Sequence, residues 1–198
     1  KMDTVMRTSA AVLQEHLKRC GSAARSQEGG RFNLFEVRYP LEESLRVAII
    51  IPTKNHGNLV QQCIESLKAT IKGIAYDIVV VDHDSDDLDT IKYLDTIKPI
   101  AKVLRYSGPF NFSAINNWAI SQISQEYSHY LLCNNDIEAY DPGWLDRMLE
   151  LGQLPDVGIV GAELRYPDRT TIQHAGVCVG AFGAAEHFGK FLRTPDIQ

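Results

Sequence analysis

The sequence predicts an α/β sandwich on a mostly parallel sheet, and three observations carry that reading. First, Arg46–Asn55 opens with an apolar run, Val47–Ile51, that lacks polar alternation, as a strand buried on both faces does. Second, the pattern returns in Tyr76–Asp84 and His129–Asp136, each an apolar run that stops abruptly at acidic or amide side chains. Third, helical patterns fill the intervals, as crossovers between parallel strands require.

Each element follows from local pattern. Val5, Val12, Leu13 and Leu17, with His16, predict an amphipathic helix over Thr4–Arg19 closed by Gly21. Ser22–Gly30 reads as a polar loop, and Arg31–Tyr39 alternates as a strand. Pro40–Ser44 reads as a linker, which places residues 1–45 as an N-terminal helix/strand appendage and 46–198 as the main domain. The main domain then runs strand 47–51, helix 57–71, strand 77–81, helix 87–97, strand 102–105, helix 113–125, strand 129–133 and helix 142–151. Beyond residue 155, Val157–Gly161 and Thr171–Val179 read as strands, joined by a turn at Tyr166–Arg169. No internal repeat suggests a solenoid.

Composition narrows the function. A chain of 198 residues supports one domain with a sizeable core and a small appendage. Its net charge of −5 argues against nucleic acid, because phosphate backbones are bound by basic surfaces. No apolar run approaches the roughly 20 residues of a membrane-spanning helix. The first residue is Lys1 and no signal peptide follows it. The four cysteines, Cys20, Cys63, Cys133 and Cys178, are scattered without a CxxC pair and read as reduced thiols, Cys63 and Cys133 as small core residues.

Ligands of open parallel sheets bind beyond the carboxyl ends of the strands. Those ends carry Thr53, Asn55, Asp82, Asp84, Asn134 and Asp136, a polar set with carboxylates able to share a metal. Asp82 and Asp84 stand two residues apart and would project to one side of an extended backbone, or simply cap the next helix. Oxygen-rich Asn134-Asn135-Asp136 suits magnesium or manganese, which take carboxylate, water and phosphate ligands. Ser113 is placed as a helix N-cap, with Asn116 and Asn117 in the first turn, an arrangement that favours an anion.

In combination and order, Ile49–Asn55, Val79–Ser85, Phe110–Asn117, Leu131–Glu138 and Ile172–Gly176 resemble the family 2 glycosyltransferases, over Val47 to about Gly189. The likeness is strongest to bacterial members that build rhamnose-containing or other surface polysaccharides. It implies a GT-A type three-layer sandwich and a nucleoside diphosphate-sugar donor. It places Pro52, Thr53 and Asn55 beside the nucleotide base, Asp82 as the acid that reads the base with Asp84 next to it, and Asn116 near the nucleotide. Asn134, Asn135 and Asp136 occupy the DxD position, with Asp136 facing a Mg or Mn ion; Asn134 departs from the pattern, where an Asp is usual.

The expected function is therefore transfer of a sugar, with inversion, to a hydroxyl of a glycan or lipid-linked glycan in bacterial polysaccharide synthesis. The resemblance puts the catalytic base in an acidic motif downstream, so it is expected beyond Gln198, and the chain reads as truncated before it. A donor-binding fragment without transfer activity is the alternative. A nucleotidyltransferase fits less well, because Pro52–Gly57 holds a single glycine where a glycine-rich phosphate loop is needed. A receiver domain would carry its acidic pair after the first strand of the domain, which here ends in Pro52–Asn55. His174 and His187 are read either as bordering the acceptor or as ordinary structural histidines. The expected location is cytoplasmic, with peripheral association at the inner face of the membrane.

Overall fold

A computed structural model describes residues 2–123, 126–180 and 185–193. They form two compact units, residues 1–153 and 154–198. The expected appendage, 1–45, lies inside the first unit.

The first unit begins with α1 (Met2–Arg19), β1 (Arg25–Glu28) and β2 (Phe35–Arg38). Gly21, at φ 71°, ends α1, with its N–H on Lys18 O and the Ser22 N–H on Leu17 O. β1 lies inside the segment expected to be a loop. Its residues, Arg-Ser-Gln-Glu, carry no strand pattern; pairing with β2 and side-chain bonds to α1 impose the strand. The Ser26 N–H donates to Gln14 Oε1 at 2.9 Å and Ser26 Oγ to Ala10 O at 2.7 Å.

The central elements are β3 (Arg46–Thr53), α2 (Gly57–Thr70), β4 (Ala75–His83), α3 (Leu88–Thr96), β5 (Lys102–Tyr106), α4 (Phe112–Ser121), β6 (His129–Leu132) and α5 (Trp144–Gly152). β3, β4, β5 and β6 make one parallel sheet in the order β5-β4-β3-β6. Period-two alternation divides the core in two. Val47, Ile49, Ile51, Ile78 and Val80 pack with residues of α2, α3 and α5, whereas Ala48, Ile50, Val79 and Val81 pack with α4. Three layers result. The chain steps from β3 to β5 in one direction across the sheet, then reverses through α4 to reach β6 on the other side of β3. Right-handed crossovers put the helix of a reversed step on the opposite face, which is why α4 stands alone there. Expected helix residues 124 and 125 lie outside the described residues.

The buried carboxylate of Glu150, in α5, anchors the N-terminal hairpin. It takes a bidentate bond from Arg38 (2.6 and 3.0 Å), the Tyr39 N–H and Arg147. Burial pushes its pKa up, but the bonds from Arg38 and Tyr39 and the charge of Arg147 hold it below the usual carboxylate range.

The second unit holds two short antiparallel pairs: β7 (Leu164–Arg165) with β8 (Ile172–His174), and β9 (Val177–Val179) with β10 (Ala185–His187). The turn at Tyr166–Arg169 forms as expected, closed by the Arg169 N–H on Tyr166 O at 2.8 Å with Arg169 at φ 59°. Val157–Gly161, expected as a strand, makes none: Ile159 is 93% exposed and no strand among the described residues pairs with the segment. The single strand read over Thr171–Val179 is two strands, broken at Gly176, whose φ of 118° an L side chain rarely adopts. Among the described residues no helix is long and apolar enough to cross a membrane.

Candidate functional site at the carboxyl edge of the sheet

The strand order reverses at β3, and the edge beyond the carboxyl ends of β3 and β6 is the candidate crevice, since open α/β sheets bind ligands beyond those ends. Thr53 ends β3 in register with Asp82 of β4, and Asp82 in turn is in register with Arg105 of β5. Across the crevice, Asn135 Nδ2 donates to Thr53 Oγ1 at 2.9 Å, and Thr53 Oγ1 donates to Asn55 O at 2.8 Å. Asp136 follows directly, exposed and free of hydrogen bonds among the described residues. Pro52, Thr53, Asp82, Asn134, Asn135 and Asp136 thus share one sheet edge.

Asp82 is buried, and its Oδ1 accepts the Ser85 N–H at 3.0 Å. Arg105 Nε lies 4.0 Å from both Asp82 Oδ2 and Asp84 Oδ1, and Ser107 Oγ donates to Asp84 Oδ1 at 2.7 Å. The two acids therefore meet around one guanidinium rather than through strand alternation. β4 ends at His83, and Asp84 has left-handed backbone at φ 50°, so the extended spacing does not apply to it. Arg105 is the residue that sequence reading missed. Its signal was available: in-register pairing of parallel strands places the end of 102–105 beside Asp82.

Asn55 is used differently from expectation. Left-handed at φ 59°, it accepts the Asp86 and Asp87 N–H groups on Oδ1 and donates from Nδ2 to Asp86, so its amide stitches the β3–α2 loop to the β4–α3 loop. Below that stitch, the Gly57 N–H donates to Thr90 Oγ1, which donates to the Asp87 carboxylate. The Thr90 hydroxyl and N–H hold the Asp87 pKa below the usual range.

The α4 region corrects two expectations. Asn111, not Ser113, is the N-cap, accepting the Ala114 N–H at 2.9 Å. Asn116 therefore lies past the first turn, 1% exposed, with Nδ2 on Phe112 O and Oδ1 without a partner among the described residues. Among the described residues no hydrogen bond links Asn116 to the Thr53–Asn135 group.

Cys63 and Cys133, read as small core residues, are both buried, lie with sulfurs 3.9 Å apart, and both approach the Asn134 carbonyl, at 3.7 and 3.3 Å. The Cys63 contact and burial push the Cys133 thiol well above its usual pKa, so it stays protonated. The helix of Cys63 and the strand before Asn134 meet only in three dimensions, which is why linear spacing concealed the pair.

For a divalent cation the donor set is lean. Among the described residues no three His, Cys, Asp or Glu side chains gather. One exposed carboxylate, Asp136, suits an ion whose remaining ligands are phosphate and water oxygens, and does not build a closed protein cage.

The model of a known family, described as glycosyl transferase family 2, matches residues 48–176. The O-antigen biosynthesis protein RfbC of Myxococcus xanthus is 37% identical over 196 residues, covering 98% of this chain and 15% of that protein. The uncharacterized protein y4gI of Sinorhizobium fredii is 38% identical over 194 residues, 91% of this chain and 21% of its own length. The chain thus spans less than a quarter of either curated relative. Among solved structures, the mannosyltransferase PcManGT of Pyrobaculum calidifontis, in complex with GDP-Man and Mn2+, superposes with a TM-score of 0.51 at 14% identity, covering 84% of this chain and 46% of that one. That likeness shows the fold, an α/β domain of GT-A type. With the family model covering most of the chain, this protein belongs to glycosyl transferase family 2.

Proposed function

We propose that this domain binds a nucleoside diphosphate-sugar at the carboxyl edge of its sheet and transfers the sugar, with inversion, to a hydroxyl of a glycan or lipid-linked glycan acceptor. Bacterial surface-polysaccharide assembly is the setting, a reading supported by the RfbC likeness. The observation that carries the proposal is the Asn135–Thr53 bond across the crevice between β3 and β6, with Asp82 on one side and Asp136 on the other. Pro52 and Thr53 border the base, and Asp82, held by the Ser85 N–H, presents its remaining oxygen to a base N–H. Asn55 keeps the two loops together, and Asn134 and Asn135 face the diphosphate. Asn116 is assigned to the nucleotide side on the family resemblance.

Asp136 is the residue that would hold a magnesium or manganese ion, whose chemistry is to neutralise charge on the departing diphosphate. The manganese in the PcManGT complex is consistent with that choice. Calorimetric titration of nucleoside diphosphates, with and without manganese, tests the reading. Metal and nucleotide should each strengthen the other by the same factor. Asp136→Ala should abolish that mutual strengthening and leave metal-free nucleotide binding nearly unchanged, whereas Asp82→Asn should weaken binding in both conditions. An Asp136→Ala protein that keeps the full metal dependence would remove Asp136 from the role. Absence of nucleotide binding altogether would overturn the proposal.

A further inference from the structure

The second unit contains a cavity of about 280 Å³ lined by Leu164, Tyr166, Gln173, His174, His187 and Lys190. We propose that it binds a phosphate group, at a site whose lining shares no residue with the donor crevice and whose assignment is independent of the function proposed for that crevice. Its polar lining consists of two imidazoles, an ammonium, an amide and a phenol, all of which can donate hydrogen bonds, and no carboxylate.

The surrounding acids are occupied elsewhere or directed away. Asp168 accepts the Thr170 and Thr171 N–H groups and the Thr171 hydroxyl, and Arg165 holds Glu163 at 2.7 Å. Glu186 precedes His187 in β10, and consecutive strand residues project to opposite faces. Lys190 Nζ rests 5.2 Å from the centre of the Phe191 ring, which itself stacks on Tyr166 at 5.7 Å, so the ammonium is positioned without an anionic partner among the described residues.

The histidine pair completes the arrangement. His174 Nδ1 and His187 Nδ1 lie 2.8 Å apart with the rings nearly perpendicular, so one ring donates to the other, and in the neutral pair the accepting ring keeps an Nε2–H that can donate to a phosphate oxygen. A transition metal suits this lining less well. While the Nδ1 proton is shared it would find one bare ring nitrogen, and it would meet an ammonium where further ligands should stand. The cavity lies at the small end of ligand pockets, a size that fits a phosphate with one sugar ring better than a whole nucleotide-sugar.

Calorimetry on the full chain with inorganic phosphate, a hexose 1-phosphate, a nucleoside diphosphate with manganese, and zinc alone tests the site. The variants are His187→Gln and Lys190→Gln, both at exposed positions, with thermal melts to verify the fold. Expected is binding of hexose 1-phosphate or inorganic phosphate that falls about tenfold or more in each variant, the scale of one charge-assisted hydrogen bond, with nucleoside diphosphate affinity unaltered. Tighter hexose phosphate binding assigns the group to a sugar ester, and equal binding assigns it to free phosphate; either supports the site. No binding of either phosphate, binding indifferent to both substitutions, heat with zinc only, or a loss of nucleoside diphosphate binding in the variants overturns it. Because the nucleotide arm reads the donor crevice separately, failure here leaves the proposed function standing, and the reverse also holds.

Discussion

At the residue scale, the roles proposed for Asp82 and Asp136 differ because their surroundings do. Asp82 is buried and fixed by a backbone N–H, whereas Asp136 is exposed and unbonded among the described residues. Substituting Asp82 therefore disturbs the protein as well as any ligand. Asp82→Ala frees the buried Ser85 N–H and is expected to lower stability by about 1–3 kcal/mol, while Asp136→Ala leaves it within about 0.5 kcal/mol, as chemical denaturation will measure. Cys63→Ser places a strongly hydrogen-bonding hydroxyl where a thiol meets Cys133 at zero exposure. A loss of about 1–3 kcal/mol is expected unless the Asn134 carbonyl accepts the new hydroxyl, and Cys63→Ala in parallel separates polarity from lost volume.

At the element scale, α2 and α3 approach so closely that a side chain at Gly57 has no room. A Cβ there would stand 3.0 Å from Thr90 Cα, which is backbone and cannot swing away. Gly57→Ala is expected to cost about 1–3 kcal/mol by overpacking, and also to weaken nucleotide binding, because the same contact sets the Asn55 loop. Thermal melts and nucleotide titration check the two effects. The β2–α5 contact behaves differently. Arg38→Ala leaves the buried Glu150 carboxylate with Arg147 and the Tyr39 N–H only, and a loss of about 2–4 kcal/mol is expected in denaturant unfolding. Since the folded pKa of Glu150 is depressed, its contribution is present above the unfolded carboxylate value of about 4.3 and disappears as pH falls through the lower folded value. Wild type should therefore lose stability in that acid range, and Arg38→Ala should lose less of it.

At the scale of the whole molecule, the two units differ in how they are held. The first has a two-faced apolar core around a parallel sheet; the second has short strands, with Ile172 the one buried apolar side chain among its described residues. Limited proteolysis is expected to cut first in the irregular, exposed stretch 156–162 and to release a fragment carrying the intact sheet, readable by mass spectrometry. Acid acts on the second unit through one turn. The Thr171 hydroxyl, with the Thr170 and Thr171 N–H groups, lowers the Asp168 pKa to about 2, so the turn at Tyr166–Thr171 should stay closed above the usual carboxylate range and open as pH falls through about 2. Nuclear magnetic resonance of the Thr171 amide across that window follows it.

What the sequence determined by itself was the layered fold and the edge that carries the polar residues. Unbroken apolar runs such as Ile49–Ile51 and Val79–Val81 have one low-energy place, inside a covered parallel sheet, and their polar termini must then lie together at its carboxyl edge. Tertiary structure decided whatever depends on neighbours distant along the chain. It drew the polar segment Arg25–Glu28 into a strand, placed Arg105 between two acids, set Cys63 against Cys133, and buried Asn116 with an unpaired carbonyl. Periodicity reports which face of an element is apolar, but strand order, register and loop conformation decide which side chains meet. Those are properties of the closed sheet, settled only when β6 pairs with β3 and brings Asn135 to Thr53.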